Sequence, residues 1–569
     1  MSSNSKIDPV KGLEVYLRNK KNISQTARDL GVHRRSVDRF LSRLTDPKII
    51  TPKYAPLDES TLYRDEEDDD RPLMRGSIGI EEYAELPIPP QGEVYSYIFS
   101  SAQNNTPVHA QLMDNIEAFA KHYDAKIHIS RFTYDKNSYR THQVKPGTKK
   151  STDDDDLFYD ARTDPYVSGS RLVVAPGLHW CGELNILPTA VTPLSGLETY
   201  TGRASGIIPH AKIAMESLPA MTRMGEGTKF NYTTGTVTQH NYIDKKAGQK
   251  ARFHHCYAFL FVEVDSDGNW FCRQVNATSD GSFQDLDVCV RDGKVTTGHH
   301  IEAANWGDIH VSQQEPVVYD LSWGNSDSII DTLRPKYQFF NDLFDMQSRN
   351  HHDEKNCHLN FKKFVTEEEN VCNEIHTTAL WLQETKRDFC TGIVVDSNHD
   401  QQLERWLRDA NYKTDPVNAM YYLELQKRKY KAIQDNDENF HLLEWSLQDA
   451  GCPKNVKFLR EDDSFVLCHE AGGGIECGLH GHLGVNGSRG SPKGFIKLGR
   501  KANTGHTHSA GIRDGVYTAG TCSMLRLSYN RGPSSWSWSH ILTYESGKRV
   551  IVTIFNGKWK AQRVQLSDH

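Results

Sequence analysis

The chain is 569 residues long, with 37% hydrophobic and 25% charged residues and a formal net charge of −7 at pH 7. That length predicts about two to four domains, and the absence of any run of ~18 apolar residues excludes a membrane-spanning helix. Eleven scattered cysteines without a CxxC pair exclude a zinc ribbon and a disulfide framework.

The start, MSSNSKIDPVKGLEVYLRNKK, lacks the apolar centre of a signal peptide. A cytoplasmic protein with no membrane partner is expected. The mean hydropathy of −0.63 implies much polar surface and loop. Twenty-six histidines favour metal chemistry.

Residues 1–50 hold eleven Lys/Arg against five Asp/Glu and read as a small helical domain. One helix starts at Ser24, a good N-cap, and stops at Gly31. A second covers 34–44. Ala27, Leu30, Val32, Val37, Phe40 and Leu41 fall on the buried side, leaving Arg34, Arg35, Ser36 and Arg39 outside. That is a helix-turn-helix pattern whose second helix would contact DNA. A helical oligomerisation domain is the other reading. Residues 51–85 read as an acidic linker, with eight acids in Asp58–Asp70.

Residues 86–295 predict an α+β middle domain of unnamed role. Val94–Ser100 alternates as a strand, His109–Tyr123 is an amphipathic helix and Ala125–Ser130 a second strand, together a β-α-β unit. Leu172–Val174 is another strand. Phe259–Val264, the turn Asp265–Gly268 and Trp270–Arg273 make a hairpin. Asp153–Asp156 reads as a surface loop.

Residues 296–569 alternate strands and helices. Thr366–Arg387 is predicted as a helix carrying Ile375, Leu380 and Leu382. Phe389–Val395 is a continuous apolar strand of the buried kind. Helices follow at Gln401–Tyr412, Pro416–Ile433 and Glu438–Ala450. Val516–Trp559 reads as strand and turn. Trp536 and Trp538 read as packing residues there, with stacking on bases as the alternative.

Five polar clusters end the apolar strands of this last region: Asp308-Ile-His310; Asn341-Asp342-Leu-Phe-Asp345; Ser397-Asn398-His399-Asp400; His480-Gly-His482; and Gly505-His506-Thr-His508. Asp308 and His310, and likewise His506 and His508, two apart on an extended segment, would point the same way. Each cluster alone is a common turn or cap. Five in order at strand-to-loop junctions point to one shared site. His351, His352 and Asp353 read as an exposed polar loop.

These clusters resemble the calcineurin-like metallophosphoesterase superfamily, whose signature runs DxH, GDxxD, GNH(D/E), a lone H and GHxH. Within it, DLFD followed by NHD resembles the SbcD-type double-strand-break repair nucleases. The resemblance covers about residues 296–515, roughly one domain's length. It implies an α/β fold of two sheets flanked by helices. It also implies two divalent ions, one held by Asp308, His310 and His508, the other by Asn398, His480 and His506, with Asp342 bridging. His482 competes with His480. Mn²⁺ is favoured over Fe²⁺, Zn²⁺ or Mg²⁺. The resemblance gives His399 the role of protonating the leaving oxygen, with Asp400 holding its other ring nitrogen and Asp345 supporting a ligand. Asn341 and Ser397 replace the family's glycines; Asn tolerates a left-handed backbone and Ser stabilises a turn.

The expected function is a metal-dependent deoxyribonuclease with DNA as partner, because a basic helix pair beside such a site favours nucleic acid. A phosphatase or small-molecule phosphodiesterase with a regulatory DNA-binding domain is the alternative. The overall layout resembles phage early proteins that act in host DNA degradation, which would work in the host cytoplasm as homo-oligomers.

Overall fold

A strand with apolar side chains on both faces needs a partner layer on each side. Val94–Gln103 meets that need. Tyr97 and Phe99 pack toward Trp180, Ile207 and Phe230 of one sheet, while Ile98 packs with Phe119 and Ile116 of a helix on the other side. In the computed structural model, residues 83–134, 136, 157–221, 227–527 and 530–562 are described, with Val15, Arg18, 23–30 and Val37 nearer the N-terminus.

The chain divides into two compact units, Met1–Pro72 and Leu73–His569. In the first, Ile23–Asp29 is a helix, which starts one residue before the expected cap Ser24. Ala27 and Val37 are buried. Arg34, Arg35, Ser36 and Arg39 lie outside the described residues, as do nearly all of the expected linker and Asp153–Asp156.

The second unit is mixed α/β. Its β-α-β unit forms as expected. Val94–Gln103 and Ala125–Phe132 pair in parallel, Ser96 against Ala125, with the helix Ala110–Tyr123 between them in sequence. His109 caps that helix by accepting from the Leu112 N–H at 3.2 Å. Leu112, Met113, Ile116 and Phe119 form its buried stripe. The predicted hairpin is present as Ala258–Asp265 and Trp270–Asn276. Its turn is closed by the Asp265 carboxylate, which accepts from the backbone of Asp267 and Asn269.

Among the described residues, eleven short strands form the largest sheet. Strands from 84–233 and from 466–518 share it, joined where Gly511 and Ile512 pair with Glu216 and Met215. The expected segments 86–295 and 296–569 therefore meet in one continuous sheet. A six-stranded sheet takes its four parallel strands, Ala303–Asn305, Tyr337–Phe340, Thr391–Val394 and Lys457–Phe458, from the C-terminal half. One face buries Ala304, Phe340 and Val394 under helix residues Ile375, Leu382 and Leu403. The other buries Ala303, Phe339 and Ile393 against Leu467, Ile475 and Cys477 of the larger sheet.

The helix expected over 366–387 is Val371–Thr385, capped by the Asn370 side chain. Leu380 is not on its buried face and is 53% exposed. Five residues from Ile375 is about 140° round the helix, so Trp381, not Leu380, enters the core. All eleven cysteines are free thiols. No helix among the described residues is long and apolar enough to cross a membrane.

Candidate metal centre

The polar clusters sit beyond the carboxyl ends of parallel strands in two sheets, where open α/β sheets bind ligands. Asp308 and His310 follow Ala303–Asn305, Asp342 and Asp345 follow Tyr337–Phe340, and Asn398 to Asp400 follow Thr391–Val394. From the larger sheet, Ile475–Glu476 leads to His480 and Lys501–Thr504 leads to His506 and His508; these two strands are also parallel.

Ligand atoms of Asp308, His310, Asp342 and His508 all lie within 4.8 Å of one another, and all four residues are buried. His508 Nε2 is 3.0 Å from Asp308 Oδ2 and 3.1 Å from His310 Nε2. His310 Nε2 is 3.6 Å from Asp342 Oδ2. His480 Nε2 is 3.3 Å from Asp342 Oδ1, and its Nδ1 is 4.0 Å from Asp308 Oδ1. Two ligands of one ion, each at 2.0–2.2 Å, stand roughly 3.0–3.5 Å apart. The 3.0, 3.1 and 3.3 Å spacings fall in that range, and the 3.6 and 4.0 Å spacings lie beyond it.

The hydrogen bonds on the far sides of the rings show which atoms carry lone pairs. His310 Nδ1 bonds to Asp345 Oδ1 at 3.0 Å, so its proton belongs there and Nε2 presents a lone pair. His480 Nδ1 bonds to Asn341 Oδ1 at 3.3 Å, with the same effect. Such partners fix the tautomer of a ligating histidine. Carboxylate oxygens and imidazole nitrogens then converge, with His508 Nε2 in reach of both Asp308 Oδ2 and His310 Nε2. Asp308 Oδ1, Asp342 Oδ1, Asn398 Oδ1 and His480 Nε2 are buried without a hydrogen-bond partner. Buried polar atoms are nearly always satisfied. A cluster of orphaned acceptors at one point is explained by a cation, and mixed carboxylate, amide and imidazole donors suit a divalent metal.

The backbone is strained at the same place. His310, Asp342, His506 and His508 all have left-handed φ, at 47°, 45°, 72° and 56°. Such residues cost on the order of 1–3 kcal/mol each and persist where a site requires them. This corrects the extended geometry expected for both Asp-x-His and His-x-His. The side chains converge through tight turns past the strand ends, not through strand alternation. Gly505 lets the backbone in: a Cβ there would overlap Asp308 Oδ1. Asp308 in turn accepts from the His506 N–H at 2.7 Å.

His399 departs from expectation in its partner. Its Nδ1 bonds to Asp345 Oδ1 at 2.6 Å, while Asp400 accepts from the Phe344 N–H and the Ser397 hydroxyl, each at 2.8 Å. Asp345 thus holds both His310 and His399, and Asp400 builds the loop. Ser397 stabilises the turn, as expected of it, by also accepting from the Asp400 N–H. Asn341 orients His480, a role its place in the motif did not signal.

Electrostatics follow the geometry. Burial works to raise the Asp342 carboxyl, but the His480, His399 and His310 rings hold it well below the usual range. Burial works to discharge His399, but Asp342 and Asp345 outweigh it and raise the ring to about 10. Burial, with the Asp342 charge nearby, lifts Asp400 to about 7 against donation from the Phe344 N–H.

The remaining residues are grouped around this core. The His506 ring lies 5.3 Å from that of His480. His482 lies 5.4 Å from His480, with both ring nitrogens buried and unpartnered, and burial lowers it to about 4. Of the two competitors, His480 is the one that contacts the carboxylates. Asn398 is half-buried on the Thr391–Val394 loop. Trp536 packs edge-on against His508 at 4.1 Å, while Trp538 is tied into the fold by a bond to the Ser523 carbonyl. His351 and His352 are exposed, with rings 3.9 Å apart.

No protein-family model matches this sequence, and no solved structure matches it. A curated phage protein does: "Protein A1" of Escherichia phage T5 is 40% identical over 476 residues, which span 82% of this chain and 83% of that protein. Identity at that level over most of both chains implies a shared fold and descent, and the chain belongs to the family of protein A1 of Escherichia phage T5.

Proposed function

We propose that this phage-family protein is a metal-dependent deoxyribonuclease that hydrolyses DNA phosphodiester bonds, with the metallophosphoesterase-like architecture its motif order suggests. The observation that carries the reading is the convergence of Asp308, His310, Asp342, His480 and His508 with acceptor atoms left orphaned. Asp308, His310 and His508 would hold one divalent ion, Asn398, His480 and His506 a second, and Asp342 would be shared. Mn²⁺ suits these donors. Ions bound there would supply an activated water and neutralise charge on the phosphate oxygens.

The chain's own residues do the rest. Asp345 fixes His310 as a ligand and, through its 2.6 Å bond, favours the protonated form of His399. With Nδ1 committed to Asp345, His399 Nε2 is the atom to pass a proton to the leaving oxygen. Ser397, Asp400 and Phe344 keep the His399 loop in place. The basic N-terminal segment would bring DNA to the site, and a homo-oligomer working in the infected cell's cytoplasm completes the proposal.

The test is direct. Purified protein is incubated with linear and circular duplex DNA and with p-nitrophenyl phosphate esters, in Mn²⁺ or EDTA. DNA cleavage that EDTA abolishes is expected. Intact DNA alongside hydrolysed small esters would replace the nuclease with a phosphatase.

A further inference from the structure

We infer that the cavity beside His399 is a nucleoside-binding site, which takes the base and sugar of the strand whose phosphate is cut. The inference rests on the nuclease reading above and names where its substrate is held. The cavity has a volume of about 570 Å³, inside the ~300–1,000 Å³ of small-molecule sites. Its walls are the loop that follows Asp345, through Ser348 to His351, and the helix Gln402–Asp409 that follows His399. Both walls are thus continuations of the two segments that meet at the metal centre.

Gln402 joins the two spaces. Its Nε2 is 3.4 Å from His399 Nδ1, and its side chain also lines the cavity. The residue is only 5% exposed, and its amide also reaches the His351 ring on the other wall of the cavity. Trp406 adds an apolar wall, its indole braced edge-on by Tyr422 at 5.1 Å.

The charges argue for a nucleoside over a second phosphate. Arg349 is held by Asp415 at 2.7 Å and faces Glu369 at 3.6 Å. Lys363 is held by Asp353 at 3.1 Å. Arg405 donates to the His351 ring at 3.0 Å. The lining is therefore close to neutral, with an arginine at its rim offering a flat donor surface. Guanidinium planes and aromatic rings at a polar, roomy cavity are what nucleobases bind.

The experiment is calorimetric titration of the full chain with deoxyadenosine 5′-monophosphate, thymidine 5′-monophosphate and inorganic phosphate, all in Mn²⁺. The nucleotides are expected to bind at least tenfold more tightly than phosphate. Arg405→Ala, at an exposed position, and Ala410→Phe, which fills the cavity, are each expected to bring the nucleotides down to the affinity of phosphate. Equal binding of nucleotide and phosphate by the wild type, or undiminished nucleotide binding by both variants, overturns the site. DNA cleavage by the wild type is scored separately. Nucleotide binding by a chain that cuts no DNA keeps the cavity and removes the nuclease reading, while cleavage without preference for nucleotide over phosphate does the reverse.

Discussion

Among the described residues, the buried charge around Arg273 and that at the candidate metal centre differ in their internal balance. At Arg273 the guanidinium donates to both oxygens of Asp285, at 2.8 and 2.9 Å, and to Glu263 at 2.9 Å. All three residues are buried and sit on neighbouring strands. Burial would lower the arginine, but the two carboxylates hold it well above its usual value. At the candidate metal centre, Asp308 and Asp342 face ring nitrogens of His310, His480 and His508, and one oxygen of each remains without a donor. The first cluster carries its counter-charge in the sequence. The second is left with acceptor atoms to spare, which a bound cation would satisfy, and the left-handed turns that hold it open fit such a site.

The largest expected consequence falls on the centre. Asp342→Ala removes the carboxylate proposed to be shared between two ions. Activity toward DNA should fall roughly ten-thousandfold, the several kcal/mol that bound ions are worth, and calorimetry with Mn²⁺ should find neither ion bound. An Asp342→Ala protein that still binds two ions would break the comparison, because the carboxylate would then not be the shared ligand. Arg273→Met tests the other side. It leaves two buried carboxylates unpaired, which costs about 3–5 kcal/mol of stability in denaturant titration. The protein that remains folded should bind Mn²⁺ as the wild type does.

Metal removal sharpens the contrast. Saturating Mn²⁺, at about a hundred to a thousand times its dissociation constant, should stabilise the wild type by ~2.7–4.1 kcal/mol. The thermal midpoint should rise accordingly and return with EDTA. Asp342→Ala should show no such rise, while Arg273→Met should show all of it from a lower starting point. An equal Mn²⁺ response in wild type and Asp342→Ala would place the ion elsewhere.

The two clusters also differed in how far the sequence disclosed them. The candidate centre was legible in part: the clusters containing Asp308, His310, Asp342, His480 and His508 stand out by residue type at strand ends, the resemblance to metallophosphoesterases supplied their roles as ligands, and the structure brings these side chains together. The path of the backbone was not. Asp-x-His and His-x-His read as strand alternation, whereas left-handed turns at His310, His506 and His508 bring the rings in. The partner of His399 was also misread, because Asp400 is its neighbour in sequence, whereas Asp345, 54 residues away, is brought beside it only by the fold. The β-α-β unit over 94–132 was legible from local period. The pairing of Gly511–Arg513 with Met215–Leu218 was not, since a long-range strand pairing leaves no local pattern. Arg273 drew no attention, because nothing in a single arginine on a strand announces two buried carboxylates.

A third buried group gives the smallest predicted effect and separates the frame from the centre. His540 is fully buried. It accepts from the Gly307 N–H at 3.1 Å, beneath the Asp308 turn, and its other nitrogen meets the Ser322 hydroxyl at 3.3 Å. Burial depresses its pKa to about 3. The folded state therefore keeps the ring neutral while the unfolded chain takes up a proton near pH 6.5. Its contribution is fully present above pH 6.5 and is lost as pH falls from 6.5 toward 3, by up to about 1.4 kcal/mol per pH unit. His210, which burial lowers to about 4, adds a loss of the same sign. In EDTA, where no ion contributes, the thermal midpoint of the wild type should fall between pH 6.5 and 5. His540→Asn keeps an acceptor near Gly307 and removes the titration, so its midpoint should start lower at pH 7.5 and fall less steeply. Parallel pH profiles for the two proteins would show that the acid sensitivity arises at other buried histidines, such as His210, and not at His540.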